Sequence, residues 1–130
     1  MEVKVVSAIT LEILKDLLQL EYQNKYYDIH NDYNCARISY LEKKLFLFLE
    51  KIDASASMII LFNQVDLVVF NTYPTKDNGT IDSFYRGRTF MNEALVEETE
   101  DEKGYFYLEF YEGQKIEFWA KSLEIQESPK

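Results

Sequence analysis

Residues 34–71 read NCARISYLEKKLFLFLEKIDASASMIILFNQVDLVVFN. Their runs of apolar, β-branched and aromatic residues predict four consecutive β-strands, Cys35–Leu41, Lys44–Lys51, Ser57–Asn63 and Val65–Asn71. Leucines alternate with phenylalanines in the second strand, so apolar side chains point to both of its faces. We therefore expect it to be the central strand, covered on both faces. Asn63-Gln64 predicts a tight turn that joins the last two strands as an antiparallel pair.

Composition favours one sheet-rich domain over residues 1–130. Hydrophobic residues make up 47% of the chain, and ten Tyr and nine Phe stand against four Gly and two Pro. The longest apolar runs are far shorter than the roughly 20 residues that cross a bilayer, and the N-terminus does not resemble a signal peptide. The one cysteine, Cys35, allows no internal disulfide, which predicts a reduced, cytoplasmic setting.

The N-terminal region predicts a strand followed by a helix. Glu2–Val6 has the alternation of a short strand, and helical spacing begins at Leu11. The apolar side of that helix comprises Leu11, Ile13, Leu14, Leu17, Leu18 and Leu20. The turn-forming residues of Asn24–Tyr33 end it. The predicted fold class is α+β, with one N-terminal helix packed on a largely antiparallel, strongly twisted sheet of about six to eight strands.

The last feature is a hairpin in which Tyr105–Tyr111 pairs with Lys115–Lys121 through Glu112-Gly113-Gln114. Phe106, Leu108 and Phe110 fall on one face of the first arm. The opposite face of the hairpin, which we expect to meet solvent, carries Tyr105, Tyr107, Tyr111 and Trp119.

Charge narrows the range of partners. Lys and Arg total 14 against 23 Asp and Glu, a net charge of −9, which repels phosphates. Nucleic acid and anionic membranes are therefore poor partners, and basic proteins are better ones. The alternative is that the acidity only keeps a small protein soluble.

An acidic segment, Glu93–Glu102, precedes the hairpin; its residues Ala94, Leu95 and Val96 fit either a helix or an edge strand. Such a run is commonly a solvated surface, but it also suits docking to a basic partner. Tyr and Trp are enriched at binding hot spots. The predicted partner-binding residues are Glu97, Glu98, Glu100, Asp101, Tyr105, Tyr107, Tyr111 and Trp119. The alternative is that the rings pack against a neighbouring loop or against the Tyr22–Tyr33 cluster.

No motif in the chain predicts catalysis, a metal or a cofactor. Asp28-x-His30-x-Asp32 has metal-ligand residue types, but the chain has no second His, and Asp beside a lone His more often caps backbone. Cys35 is best interpreted as a buried small hydrophobe. Arg86 and Arg88 fit either an anion clamp or, as we favour, pairing with the acidic segment.

Three stretches resemble small β-rich immunity proteins of bacterial polymorphic-toxin systems. They are Tyr27–Asp32, with its aromatic-His-Asp turn, the strands within Tyr27–Asn71, and the alternation over Gly104–Ile125. Asn31 separates His30 from Asp32, a departure from that turn. The resemblance implies a non-enzymatic binder that neutralises a toxin.

The predicted function is a protein-binding inhibitor, an immunity-type antitoxin that covers the active site of a basic toxin or enzyme. A phage-encoded inhibitor of a host defence fits the same size and acidity. A small ligand-binding protein or enzyme is the alternative from a different class, and it requires an aromatic-lined pocket.

Overall fold

Two antiparallel β-sheets pack against each other in a computed structural model of the chain. The structure describes residues 5–11, 15–71, 79–87, 90–91, 94–95, 99–100 and 102–129. In chain order, the strands are β1 (Val6–Ser7), β2 (Lys15–Asp16), β3 (Gln19–Tyr22), β4 (Lys25–Asp28), β5 (Tyr33–Leu41), β6 (Lys44–Lys51), β7 (Ala56–Asn63), β8 (Asp66–Phe70), β9 (Ile81–Arg86), β10 (Phe90–Met91), β11 (Ala94–Leu95), β12 (Thr99–Glu100), β13 (Lys103–Phe110), β14 (Lys115–Ala120) and β15 (Ser122–Pro129). A 3-10 turn spans Ala8–Thr10, and a short helix, α1, spans Ile29–Asp32.

The first sheet has five strands in the order β1-β15-β7-β6-β5. The second has six, in the order β2-β9-β13-β14-β8, with β12 paired to β13. Two small hairpins, β3-β4 and β10-β11, lie outside them. The chain passes from the first sheet to the second between β1 and β2 and again between β7 and β8, and it returns to the first sheet at β5 and at β15.

The core lies between the sheets, where alternate side chains of the long strands such as β6 and β13 point inward. The ring of Phe62 on β7 lies at its centre, 4.9 Å from Phe106 and 4.8 Å from Phe118 between ring centroids. Leu45, Leu47 and Leu49 of β6 are buried beside it. The four strands predicted within residues 34–71 and the final hairpin are confirmed, with no bound shifted by more than two residues.

The predicted α+β class is wrong. The longest helix in the described part of the chain is α1, with four residues. Of the proposed N-terminal helix, residues 12–14 lie outside the described residues, and the rest forms β2, Leu17–Leu18 and β3. Tertiary pairing overrides the helical leucine spacing: Lys15 pairs with Arg86 across β2 and β9, and β3 pairs with β4. Of the predicted first strand, only Val5 and Val6 lie in the described part, and β1 begins at Val6.

Two predictions about the strands of residues 34–71 also need correction. Asn63-Gln64 does not join a hairpin, because β7 and β8 belong to different sheets; Val65 N–H instead donates to Lys43 C=O at 2.8 Å. Strand β6 is interior to its sheet but is fully covered on one face only. Phe46 and Phe48, on its other face, remain half-buried.

The acidic segment contains short strands where the structure describes it. Ala94–Leu95 pairs with Phe90–Met91, which decides for a strand over a helix at those two residues. Thr99–Glu100 pairs with Lys103-Gly104 and leads into β13. Val96 lies outside the described residues.

Candidate functional site

The outward face of the six-stranded sheet carries an aromatic and acidic surface. Along β13, Phe106 and Leu108 point into the core, so Tyr107 and Glu109 point to the opposite side. The strand register places Tyr85 of β9 on one side of Tyr107 and Glu117 of β14 on the other. We call Tyr85, Tyr107, Glu109 and Glu117 the tyrosine face.

The two tyrosines of this face stack on each other. Their ring centroids lie 5.1 Å apart, and the ring planes are inclined by 27°. Both residues are half-buried, so one side of the pair faces the sheet and the rest stays accessible. Stacking fixes the rings before any partner arrives, which lowers the entropy lost on binding.

Both phenols stay protonated well above neutral pH. Burial, aided by the negative charge of Glu109, raises the pKa of Tyr107 to about 12. Burial, followed by the charges of Glu117 and Glu109, also raises the pKa of Tyr85. The tyrosine face therefore offers neutral hydroxyl groups next to carboxylates.

The two glutamates of this face form no ion pair within the described part of the chain. No Lys or Arg nitrogen there lies within 4.0 Å of either carboxylate. Lys115 pairs with Glu109 in the strand register but forms no ion pair with it. Within those residues, neither carboxylate is therefore held by an ion pair.

Two of the predicted partner-binding rings are buried. Tyr105 is 3% exposed and Trp119 is 8% exposed, although neither belongs to the main core cluster between the sheets. Their rings meet edge to face at 5.0 Å, and Tyr105 Oη donates to Glu117 Oε1 at 2.5 Å. They do point away from the core, but the premise that they are exposed is wrong.

The other predicted partner-binding residues are scattered. Tyr111 is 72% exposed and lies in the turn after β13, outside the tyrosine face. The backbone of Glu100 is paired to β13 in strand β12. Glu97, Glu98 and Asp101 lie outside the described residues.

The Asp28-x-His30-x-Asp32 motif has a structural role at Asp28 and His30. Asp28 caps helix α1, where its carboxylate accepts from Asn31 N–H at 3.1 Å and from the Asn31 side chain at 3.0 Å. These bonds lower the pKa of Asp28. His30 Nδ1 lies 2.7 Å from the Ile81 carbonyl oxygen and ties α1 to β9. In the described part of the chain, no His, Cys, Asp or Glu group is arranged to hold a metal ion.

Cys35 and Arg86 are also buried. Burial raises the pKa of Cys35 to about 12, so its thiol is protonated and packs as a small hydrophobe, as predicted. Arg86 is 1% exposed, which removes it as a surface anion clamp. Arg88 lies outside the described residues.

A cavity of about 330 Å³ lies beside the tyrosine face. Its lining comprises Asp16, Leu18, Ser83, Phe84 and Tyr85. A second cavity of about 220 Å³ shares Asp16 and Leu18 and extends to His30 and Asp82. The first is at the small end of ligand sites, and aromatic rings form only part of its wall. Phe84 and Tyr85 are the two aromatic residues among its five lining residues.

Of the tyrosine face, sequence analysis selected only Tyr107 and did not select Glu109 or Glu117. Tyr85 is the missed member that lies outside the hairpin altogether. It lies in the segment Phe84–Arg88, which sequence analysis related to an anion clamp or to pairing of its arginines with the acidic segment. The available signal was the pair Ser83 and Tyr85, which flank the apolar Phe84 as the outward positions of a strand.

Comparison with models of protein families, with curated proteins and with solved structures finds no significant match. These comparisons therefore neither support nor oppose the resemblance to immunity proteins. No helix in the described part of the chain is long and apolar enough to span a bilayer.

Proposed function

We propose that this protein is a non-enzymatic inhibitor of the immunity type that binds a basic toxin or enzyme through the tyrosine face. One observation carries the proposal: the stacked pair of Tyr85 and Tyr107 lies beside Glu109 and Glu117, which form no ion pair in the described part of the chain.

The geometry suits a protein partner. The stacked rings supply a rigid and partly apolar centre, and the glutamates supply charge at its margin. Interfaces are commonly built in this way, with aromatic residues at the centre and polar groups around them. Because both phenols are neutral, their hydroxyl groups can donate to partner carbonyls as well as accept from partner amines.

Electrostatics favours a basic partner. The net charge of −9 attracts a basic protein over a distance, and Glu109 and Glu117 then orient it at the tyrosine face. Rim charges act mainly on the association rate, whereas a central aromatic residue acts mainly on dissociation. The two contributions can therefore be separated by kinetics.

The test uses the proteins encoded by the adjacent genes, expressed and purified singly. Surface plasmon resonance measures the binding of each of these proteins to the full chain at low and high salt. Growth assays measure whether the full chain protects cells that express one of these proteins. We expect one of them to bind and to be neutralised. We expect Glu109→Lys with Glu117→Lys to slow association, and Tyr107→Ala to accelerate dissociation by about tenfold or more.

The control is Glu21→Lys with Glu42→Lys, which changes the net charge equally at two exposed positions outside the tyrosine face. Because Glu117→Lys also removes the bond to Tyr105, Glu109→Gln provides a milder second variant. Circular dichroism checks that each variant is folded. A folded wild-type chain that neither binds nor protects against any adjacent gene product contradicts the proposal, as does equal loss in the control.

A further inference from the structure

A cavity borders Tyr85 on the side away from its stacking partner. Strand β9 lies between β2 and β13, and the register pairs Tyr85 with Asp16 on one side and with Tyr107 on the other. The stacked ring of Tyr107 occupies the β13 side. The cavity of about 330 Å³ is lined by residues of β9 and of the segment 16–18, and by none of β13. It therefore meets Tyr85 from the β2 side.

Asp16 brings a carboxylate to this cavity. Directly paired residues of neighbouring strands point to the same face of a sheet, so Asp16 lies beside Tyr85 on the outward face. Its Oδ1 accepts from Leu18 N–H at 2.9 Å, which holds the side chain in place. Among the described residues, no Lys or Arg nitrogen lies within 4.0 Å of this carboxylate. A fixed negative charge thus lies next to an aromatic ring at the same opening.

The adjoining cavity of about 220 Å³ adds hydrogen-bond acceptors. It shares Asp16 and Leu18 with the first cavity and extends to Asp82 and His30. The register of β9 with β13 skips Asp82 at an irregularity, and Asp82 is exposed. His30 Nδ1 contacts a carbonyl oxygen, which can only accept, so Nδ1 carries the proton and Nε2 of the neutral ring is an acceptor. No lysine or arginine of the described part of the chain lines either cavity.

These features fit the side chain of an arginine. A guanidinium group is planar, stacks on aromatic rings and donates through five N–H groups, whereas a lysine ammonium is a compact charge with three donors. Tyr85 supplies the ring, and Asp16 and Asp82 supply acceptors. Leu18 offers an apolar surface to the methylene groups of the side chain. A cavity at the small end of ligand sites suits a single side chain.

We propose that these two cavities together, which we call the β2 cleft, bind an arginine side chain of the partner protein, with its guanidinium group stacked on Tyr85 beside Asp16. The inference rests on the proposed function, because it names the residue type through which a basic partner is recognised next to the tyrosine face. Tyr85 then has Tyr107 on one side of its ring and the arginine of the partner on the other.

An NMR titration of the full chain tests the β2 cleft without a partner protein. The probe is N-acetyl-L-arginine amide, and N-acetyl-L-lysine amide at the same concentrations controls for charge and ionic strength. We expect saturable shifts of the backbone amide signals of Asp16, Leu18 and Tyr85, with a Kd on the order of 1 mM. The lysine compound should bind about threefold more weakly or worse, because it cannot stack as a plane.

Asp16→Asn should weaken binding of the arginine compound about fivefold, because it removes the charge. The asparagine keeps an oxygen that can accept from Leu18 N–H, so the local turn is preserved. Asp53→Asn is the matched control, since Asp53 Oδ1 likewise accepts from Ser55 N–H at 2.9 Å and lies outside the cleft. Tyr85→Leu should remove the preference for arginine over lysine, and Tyr85→Phe should retain it. If Tyr85→Leu does not fold, the two aspartate variants decide.

The inference is wrong if the arginine compound causes no saturable shift at these amides. Equal binding of the lysine compound would also overturn it, as would equal weakening by Asp16→Asn and Asp53→Asn. Such a result leaves the test with the adjacent gene products unaffected, because a basic partner can bind the tyrosine face without entering the cleft. Conversely, arginine binding by a chain that neutralises no adjacent gene product supports the cleft and contradicts the proposed function alone.

Discussion

Gly104 lies directly against the buried side chain of Arg86. A Cβ atom at Gly104 would stand 2.7 Å from Arg86 Nε and 3.2 Å from Ala8 Cβ. Gly104 lies on β13 and Arg86 on β9, and both strands belong to the six-stranded sheet. Because Arg86 is 1% exposed, its guanidinium has little room to move. The absence of a side chain at Gly104 allows an arginine to lie inside an apolar sandwich.

We expect Gly104→Ala to lower the free energy of unfolding by about 1–3 kcal/mol, the usual cost of overpacking. Urea unfolding measures it. In an Arg86→Ala background the added methyl group has space, so its cost should shrink. An equal cost in both backgrounds would show that the contact with Arg86 does not limit position 104.

Leu47→Ala tests the position of β6 in the core. Leu47 is fully buried, so truncation should cost about 2–5 kcal/mol in urea unfolding. The matched control is Leu41→Ala on the neighbouring strand, where the leucine is 64% exposed and the cost should be below about 1 kcal/mol. Similar values for the two would contradict the described packing.

Trp119→Ala should act on stability. Trp119 is 8% exposed and packs edge to face against Tyr105, so its removal opens a cavity and should cost about 3–5 kcal/mol. Thermal and urea unfolding measure the loss. If the variant had normal stability but bound its partner more weakly, Trp119 would contribute to the binding interface and not to the stability of the fold.

Alkaline pH should destabilise the fold through Tyr107. Its pKa is about 12 in the folded chain and 10.0 without the fold, so the unfolded state loses the proton first as pH rises. The contribution to stability is complete below pH 10 and declines between pH 10 and 12. Urea midpoints across this window measure it, and Tyr107→Phe should flatten the decline. Tyr111→Phe, with a ring that is 72% exposed, serves as the control.

The sequence was sufficient for the strands whose pattern is local. Strand β6 and the hairpin of β13 and β14 have strict alternation, which fixes the side to which Tyr107 points. The prediction of an N-terminal helix was wrong because the leucines of this region also satisfy a helical period. In the structure, Gln19–Tyr22 instead pairs with Lys25–Asp28 through a two-residue turn at Gln23-Asn24. Both turn residues have positive φ, 53° and 64°, as this class of hairpin turn requires.

The candidate site was only partly predictable for a related reason. Alternation shows which side of a strand a residue occupies, but the burial of Tyr105 and Trp119 depends on packing above the sheet, which has no local signature. Tyr85 joins Tyr107 only through the register of β9 against β13, a pairing of residues distant in sequence.

The position of β15 has a consequence for biosynthesis. This strand lies between β1 and β7, where Leu123 pairs with both Val6 and Phe62. Until residues 122–129 leave the ribosome, the apolar edge of β7 has no strand beside it, and β1 has no sheet to join. Such distant pairing slows folding to the millisecond-to-second range. A nascent chain therefore passes through a stage with an open strand edge, the form most prone to aggregation.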